Sequence, residues 1–293
     1  DQPGIARATA LDLLRAFPEP SHRLALPRLL ADEDPLVRAA AVRYLDVMDA
    51  ESRFRLGMPL LDDPVRVVRI DAARVLAPLA RYELPEGAAE RLAAGLEAYR
   101  SAQLATAERP EAHLNVGLLE TATGKAALAQ RAYLTALRLD PAFVPGYVNL
   151  ADLYRALGGD AEGEELLQAG IAAAPSSGAL HHALGLLYVR TGRLQQALPV
   201  LSRAAELEPG QARYAYVQAL ALRESGDLPK ALAILSEARE RHPGNVELLT
   251  ALATINRDAG NKAAALGYAK ELAALNPANP EAASLVEELS GGE

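Results

Sequence analysis

Residues 175–209 read PSSGALHHALGLLYVRTGRLQQALPVLSRAAELEP, and this stretch predicts the fold of much of the chain. Proline stands at both ends, 34 residues apart, and Gly192 lies at the middle. Proline ends helices because it lacks an amide donor, and glycine readily adopts the left-handed turn after a helix. The stretch therefore predicts a helix, a tight turn and a second helix. The same step relates five prolines and five glycines, which are Pro141, Pro175, Pro209, Pro243 and Pro277, and Gly124, Gly158, Gly192, Gly226 and Gly260.

Small residues recur at this step inside the predicted helices, where they let paired helices approach closely. When the repeats are aligned, a second set of equivalent positions holds bulkier side chains, and at helical spacing these would fill the seam between neighbouring units. Gln218 departs from a column that is otherwise Val or Leu, and Asn256 stands where two earlier units have Tyr, so we expect the fifth unit to be the loosest. The small columns are Gly117, Ala151, Gly185, Ala219 and Ala253, and Ala129, Gly163, Ala197, Ala231 and Ala265; the bulkier one is Tyr133, Leu167, Leu201, Leu235 and Ala269.

At these columns the chain resembles the tetratricopeptide repeat family, with five units over residues 110–279. The resemblance implies an all-α fold, an alpha-solenoid whose units form a superhelix, with the first helix of every unit on the inner wall. Terminal repeats need a cover for their apolar side. We therefore expect a capping helix and tail over 280–293, and a linking half-repeat helix over 85–109.

The N-terminal segment has a repeat period of 31 residues, which relates Arg7, Arg38 and Arg69. The strings DPLVR at 34–38 and DPVR at 63–66 each precede an Ala-rich amphipathic stretch and resemble HEAT repeats, over residues 1–84. We expect Asp to cap each helix, Pro to take its first position, and the Arg column to pair with Asp of an adjacent turn. The first unit lacks its leading helix, so we expect more protein upstream and an exposed hydrophobic patch near Ile5, Leu11 and Leu14.

Composition narrows the function classes. The formal net charge is −8, whereas binding of nucleic-acid phosphates needs a concentrated basic surface, so we expect no nucleic acid. Absence of Cys excludes disulfides, thiolate metal sites and covalent haem attachment within these residues. No phosphate loop, HExxH string or nucleophile elbow occurs, so we predict no enzyme, no metal and no cofactor. The uncharged stretch 166–189 is broken by Pro175 to Gly178, so we predict no membrane insertion.

The adjacent pair His181 and His182 is the sharpest candidate for chemistry. Successive helix residues point about 100° apart and cannot share one metal ion. His113 and His181 occupy the same repeat column, and we expect both to pack in the seam between helices rather than bind a ligand. His182 is expected to face the groove.

The inner wall supplies the candidate binding groove. Its Arg residues recur near the ends of first helices and could hold carboxylates of an acidic peptide; the alternative is that each Arg caps its helix and meets water. We hypothesise an extended, partly acidic segment with apolar anchors along Val148, His182, Tyr216 and Arg223. The partner-binding residues we predict are Val148, Asn149, Asp152, Arg155, His182, Leu186, Arg190, Arg213, Tyr216, Leu220, Arg223 and Arg257.

Three strings give a second resemblance. RPEAHLN at 109–115, FVPGYVNLADLY at 143–154 and LHHALG at 180–185 look like the C-terminal part of bacterial multihaem c-type cytochromes. That resemblance implies a periplasmic docking module whose haem-attaching motifs lie upstream. Three alternatives stay open: a scaffold that recruits a protein or peptide, an appendage of a haem protein, and self-association through the exposed stack ends.

Overall fold

The structure is a computed structural model that describes residues 2–17, 20–277 and 280–291. The chain divides into two compact units, residues 1–149 and 150–293. Within the described residues all regular structure is helical, with 17 α-helices and three short 3₁₀ turns. This agrees with the all-α solenoid that the repeat spacing predicts.

The first unit contains eight helices and begins a ninth. They are α1 (Gly4–Leu14), α2 (Pro20–Leu30), α3 (Pro35–Tyr44), α4 (Ala50–Gly57), α5 (Arg66–Leu76), α6 (Ala88–Leu104), α7 (Pro110–Ala122) and α8 (Ala126–Leu139), with 3₁₀ turns at Leu45–Val47, Met58–Asp62 and Ala77–Arg81. The division between the units falls inside α9 (Val144–Leu157).

The second unit continues with helical pairs. They are α10 (Asp160–Ala173), α11 (Gly178–Arg190), α12 (Leu194–Leu207), α13 (Ala212–Glu224), α14 (Leu228–Arg241), α15 (Val246–Asp258), α16 (Lys262–Leu275) and α17 (Pro280–Ser290).

The Asp-Pro strings begin helices in two different ways. Asp34 Oδ1 accepts the Leu36 amide at 2.9 Å and Pro35 is the first residue of α3, as predicted. Asp63 Oδ1 accepts the Val65 amide at 2.8 Å, but α5 begins only at Arg66 and its N-cap residue makes no side-chain cap. Pro64 therefore precedes the helix, because Asp63 closes a turn before α5 instead of capping it.

The HEAT-like Arg column pairs with Asp as expected in two of its three members. Arg38 binds both carboxylate oxygens of Asp63, at 2.8 and 3.0 Å, and Arg7 pairs with Asp32. Arg69 instead donates to the backbone carbonyls of Asp63 and Pro64, at 2.6 and 3.0 Å. The buried apolar core of this region includes the fully covered side chains of Val37, Leu45, Val68 and Leu76.

The expected apolar patch near the N-terminus has a different composition from the one predicted. Ile5 is 63% exposed and Leu14 is 36% exposed, but Leu11 is buried in the core. Leu11 lies on the face of α1 that packs against α3, which removes it from the surface. Leu13 and Phe17 are exposed instead.

The tetratricopeptide-like turns follow the predicted spacing. Gly192 has φ +73° and Gly226 has φ +89°, in the left-handed region that favours glycine. Helix α12 ends two residues before Pro209, and α14 ends two residues before Pro243. The small columns also fulfil their predicted role, because a Cβ atom on Gly185 would lie 2.4 Å from Leu201 Cδ2 of the paired helix.

The last helix covers the final pair. Helix α17 packs against α16, and Ala282 is buried with Leu249 and Leu272. Asn256, expected to loosen this unit, is buried and donates from Nδ2 to the Leu252 carbonyl at 2.8 Å. Within the described ranges, no helix has the length and apolar character that a membrane crossing requires.

Candidate peptide-binding surface

Most of the predicted groove residues lie on the first helices of successive hairpins in the second unit. We call eight of them the first-helix face; they are His182, Leu186 and Arg190 of α11, Arg213, Tyr216, Leu220 and Arg223 of α13, and Arg257 of α15. Leu186 is 39% exposed, and Tyr216 is half-buried against the core of α13 to α15. The face therefore offers apolar, aromatic and cationic groups.

His182 is the most unusual group on this face. Its ring stacks on Tyr214 with centroids 4.5 Å apart and an interplanar angle of 27°. Its Nδ1 atom is buried and has no hydrogen-bond partner among the described residues. Burial, followed by the nearby charge of Arg213, lowers the pKa of His182 to about 4. The ring is therefore neutral at neutral pH and can accept a hydrogen bond.

Arg213 joins two neighbouring first helices. Its guanidinium lies 5.2 Å from the centroid of the Tyr216 ring, and its Nη1 donates to Glu247 Oε1 at 2.7 Å. Arg213 and Glu247 stand 34 residues apart, at equivalent positions of successive repeats. The cation is thus held over an aromatic face that is itself half-buried.

The Arg residues near the ends of the first helices form ion pairs with carboxylates of the same chain. From the sequence we expected either groups available to a peptide or groups that meet water. The structure gives each Arg a carboxylate partner: Arg155 Nε lies 3.2 Å from Asp152 Oδ1, Arg223 Nη2 lies 3.5 Å from Asp258 Oδ2, Arg257 Nη2 lies 3.2 Å from Asp258 Oδ1, and Arg190 pairs with Asp160. These pairs are solvent-accessible, so a ligand carboxylate could exchange with them.

Two predicted groove residues belong to the first unit. Val148 and Asn149 are half-buried there, and Asn149 Nδ2 donates to the Pro145 carbonyl at 2.8 Å. Asp152 and Arg155 are exposed in the second unit and pair with each other. We therefore treat the first-helix face of the second unit by itself.

The two adjacent histidines differ in burial. His181 is buried, with Nδ1 2.9 Å from the Ser177 carbonyl, whereas His182 is only partly covered. His113 is half-buried, with Nε2 2.9 Å from the Ala107 carbonyl. Within the described part of the chain no three His, Asp or Glu side chains gather where a metal ion could bind.

Tyr214 and Glu247 were missed from the sequence. Tyr214 stands in a repeat column whose other members are Ala112, Gly146, Leu180 and Leu248. A tyrosine at a position that is small or aliphatic in the other repeats indicated a special role. Glu247 shares a column with Arg213, so opposite charges at one repeat position were a second signal.

These features define an all-α solenoid in which HEAT repeats are followed by tetratricopeptide repeats. Residues 1–77 match the family model of HEAT repeats. Residues 148–212, 182–246 and 216–280 match the family model of the tetratricopeptide repeat. Both families are typically non-catalytic scaffolds. No protein of curated function matches this chain.

Several solved structures are similar to the chain. MamA is 21% identical over 57% of this chain and 92% of its own, with a TM-score of 0.49. YrrB, described as a TPR protein with an unusual peptide-binding site, is 22% identical over 64% of this chain and 97% of its own, with a TM-score of 0.48. TTC0263, a thermophilic TPR protein in Thermus thermophilus, is 22% identical over 62% of this chain and 98% of its own, with a TM-score of 0.47.

Proposed function

We propose that this protein is a non-catalytic protein–protein interaction scaffold that binds a peptide or protein segment on the first-helix face. The tetratricopeptide repeats of residues 148–280 support the scaffold role. The cluster of His182, Tyr214, Arg213 and Tyr216 supports the choice of surface, and it is the observation that carries the proposal.

The cluster has the chemistry of a peptide anchor site. Tyr and Arg are enriched where binding energy concentrates, because they supply large contact area together with directional hydrogen bonds. Tyr216 gives a half-buried ring, and the half-buried Leu220 of the same helix and the exposed Leu186 of α11 add apolar surface.

The charges of the face favour a partly acidic ligand. Arg213 and Arg223 each pair with a carboxylate of this chain, Glu247 and Asp258. Exposed ion pairs of this kind contribute at most about 1 kcal/mol, so a ligand carboxylate can replace the internal one at small cost. An extended segment with an aromatic or aliphatic anchor followed by Asp or Glu fits this pattern.

The proposal is tested with peptides selected on the full chain. Peptides from a random 12-residue library that bind the protein would be measured by fluorescence anisotropy against the wild type and Tyr216→Ala/Arg223→Ala. We expect the double change to weaken binding at least tenfold, because it removes the anchor ring and one cation. Unchanged affinity would eliminate the first-helix face as the binding site.

A matched double variant controls for the general loss of one Tyr and one Arg. Tyr82 and Arg138 are exposed in the first unit, outside the first-helix face. Tyr82→Ala/Arg138→Ala should retain wild-type affinity. Raising the salt concentration to 0.5 M should weaken the binding of acidic peptides more than that of neutral ones, because salt screens the exposed charges.

The alternative is a C-terminal docking module of a periplasmic multihaem c-type cytochrome in a bacterium. Its support is the likeness of the strings at 109–115, 143–154 and 180–185. The 293-residue sequence contains no Cys, so covalent haem would be attached outside these residues, and the resemblance implies that it is attached upstream. Mass spectrometry of the protein from its source would test this: peptides that carry covalent haem on Cys-x-x-Cys-His favour the alternative, and an upstream sequence without them removes it.

Self-association through the stack ends has separate support in the exposed apolar groups of α1 and the residues after it. Ile5, Leu13 and Phe17 are all more than half exposed. Light scattering over a hundredfold concentration range should then show a rising mass. A change of Leu13 and Phe17 to Ser should abolish the rise, whereas a constant wild-type mass contradicts this proposal.

A further inference from the structure

A cavity of about 450 Å³ lies among α12, α13 and α14 of the second unit. Ala215 and Gln218 of α13 line it, together with Ile234 of α14 and Pro209 of the turn before α13. Its described lining residues are all different from those of the first-helix face. It is therefore a second concave site, separate from the surface proposed above.

The cavity coincides with a reduction in side-chain size along the 34-residue repeat. Ala215 occupies a column in which every other unit has a larger side chain; these are His113, Tyr147, His181 and Leu249. Tyr147, His181 and Leu249 are buried, so in three of those units the chain fills the position with its own side chain. In the fourth tetratricopeptide repeat the methyl group of Ala215 leaves the space open.

Two of the larger side chains make the same hydrogen bond. Tyr147 Oη donates to the Pro141 carbonyl at 3.0 Å, and His113 Nε2 lies 2.9 Å from the Ala107 carbonyl. In both cases the acceptor is six residues before the ring. The equivalent carbonyl in the fourth tetratricopeptide repeat is that of Pro209, which lines the cavity.

Polar groups in the cavity have spare hydrogen-bonding capacity. The Pro209 carbonyl lies 3.5 Å from His242 Nε2, at the long limit of a hydrogen bond. Gln218 replaces the Val or Leu of the other units, and its amide makes no side-chain hydrogen bond to another described residue. An amide at a wall that is elsewhere aliphatic adds a donor and an acceptor where the missing ring would lie.

We propose that this cavity binds a tyrosine side chain presented by a partner protein. The bound ring takes the place that Tyr147 fills in the second tetratricopeptide repeat, its hydroxyl donates to the Pro209 carbonyl, and the Gln218 amide donates to the phenol oxygen. Ala215 and Ile234 contact the ring faces. The chain's own repeats define this occupant, because one of them holds a tyrosine ring and its hydrogen bond at the equivalent position.

The site is tested with N-acetyl-L-tyrosinamide and the ¹⁵N-labelled full chain. We expect saturable chemical-shift changes at the amides of Ala215, Gln218 and Ile234. N-acetyl-L-phenylalaninamide should bind about fivefold more weakly, because it lacks the hydroxyl. Equal affinity for the two amides, or no saturable shift at these positions, would overturn the proposal.

Variants locate the site. Ala215→Tyr supplies the missing ring from within and should abolish the shifts, whereas Ala233→Tyr, the same change at an exposed site of the same unit, should leave affinity unchanged. Gln218→Leu restores the residue found in other units and should weaken binding about fivefold even if Ala215→Tyr does not fold. Wild-type affinity in Gln218→Leu would contradict the proposal. Tyr216→Ala/Arg223→Ala should bind the amide normally, so this test is independent of the first-helix face.

Discussion

The HEAT and tetratricopeptide regions hold their helices together by different means. In the HEAT region, side-chain ion pairs and hydrogen bonds cross from one repeat to the next, and Arg38 and Asp63 are the best-covered pair, with 12% and 5% of their side chains exposed. In the tetratricopeptide region ion pairs such as Arg213–Glu247 also join successive repeats, but both of its side chains are about half exposed. Within the α11–α12 hairpin the helices meet by steric fit, where Gly185 lies against Leu201. We therefore expect covered charge pairs to contribute more to stability in the first region, and close packing of small against large residues to contribute more in the second.

The polar network of the HEAT region runs across three helices. Arg43 binds Asp12 of α1 at 2.7 Å and Asp71 of α5 at 2.9 Å, so it links the helices on both sides of α3. Asp46 in turn accepts Arg15 at 3.3 Å and Arg74 at 2.9 Å. The second unit also has ion pairs, but Arg203–Glu206, for example, is more than half exposed on both sides. We expect removal of a charged side chain to destabilise the HEAT region more, and addition of a methyl group in the core to destabilise the tetratricopeptide region more.

The largest effect expected is that of Arg38→Ala. It leaves Asp63 buried without its cation and should destabilise α3 and α5 by about 3 kcal/mol. Arg203→Ala, the same change at an exposed pair, should cost no more than about 0.5 kcal/mol. Native-state hydrogen exchange at the amides of α3, α5 and α12 measures both. Equal losses would mean that the HEAT ion pairs are not energetically distinct from surface pairs.

A packing change should reverse the ranking of the two regions. Gly185→Ala places a methyl group 2.4 Å from Leu201 Cδ2 and should destabilise α11 and α12 by about 2 kcal/mol, because Leu201 is fully buried and cannot move freely. Gly267→Ala meets nothing within 4 Å and should stabilise α16 by up to about 1 kcal/mol through helix propensity. If Gly185→Ala proved neutral in urea unfolding followed by exchange, steric fit would not be the organising contact.

The repeat spacing predicted the helical hairpins, the glycine turns and the Arg38–Asp63 pair, because each depends on contacts that recur at a fixed step. Features that break the repeat were harder to predict. Tyr214 and His182 meet only when two successive first helices are in place, and the cavity beside Ala215 needs three helices. Leu11 was placed on the surface because the sequence does not tell which face of α1 meets α3.

Acid should weaken the HEAT region through its carboxylates. Burial opposes the charged form of Asp63, but hydrogen bonds from Arg38 and the Val65 amide outweigh it and hold the pKa of Asp63 below its ordinary value of 3.8. The stabilisation is present above the unfolded-state pKa and is lost as pH falls through the folded-state pKa, so exchange protection of α3 and α5 should fall below about pH 4. The loss should be smaller than in Arg38→Ala, because protonated Asp63 can still accept the Val65 amide. Asp63→Asn should flatten this pH dependence; an unchanged slope would assign the acid sensitivity to other carboxylates.

The second unit should respond to acid at higher pH, through one histidine. The pKa of His182 is lowered to about 4 from an ordinary value of 6.5, first by burial and then by the charge of Arg213. Because the unfolded chain binds this proton more readily, stability of α11 and α13 should decline as pH falls from about 6.5 to about 4. Proton NMR of the His182 ring should titrate near pH 4.

Variants separate the two causes of this shift. Tyr214→Ala removes the stacked ring that covers His182 and should move its midpoint toward 6.5, whereas Arg213→Gln should move it less, because burial is the larger cause. A wild-type midpoint near 6.5 would mean that the ring is freely hydrated and that the stacked Tyr214 does not keep water from it. A midpoint near 4 would show that acid weakens this region through exclusion of water from one ring, whereas the HEAT region weakens through loss of its ion pairs.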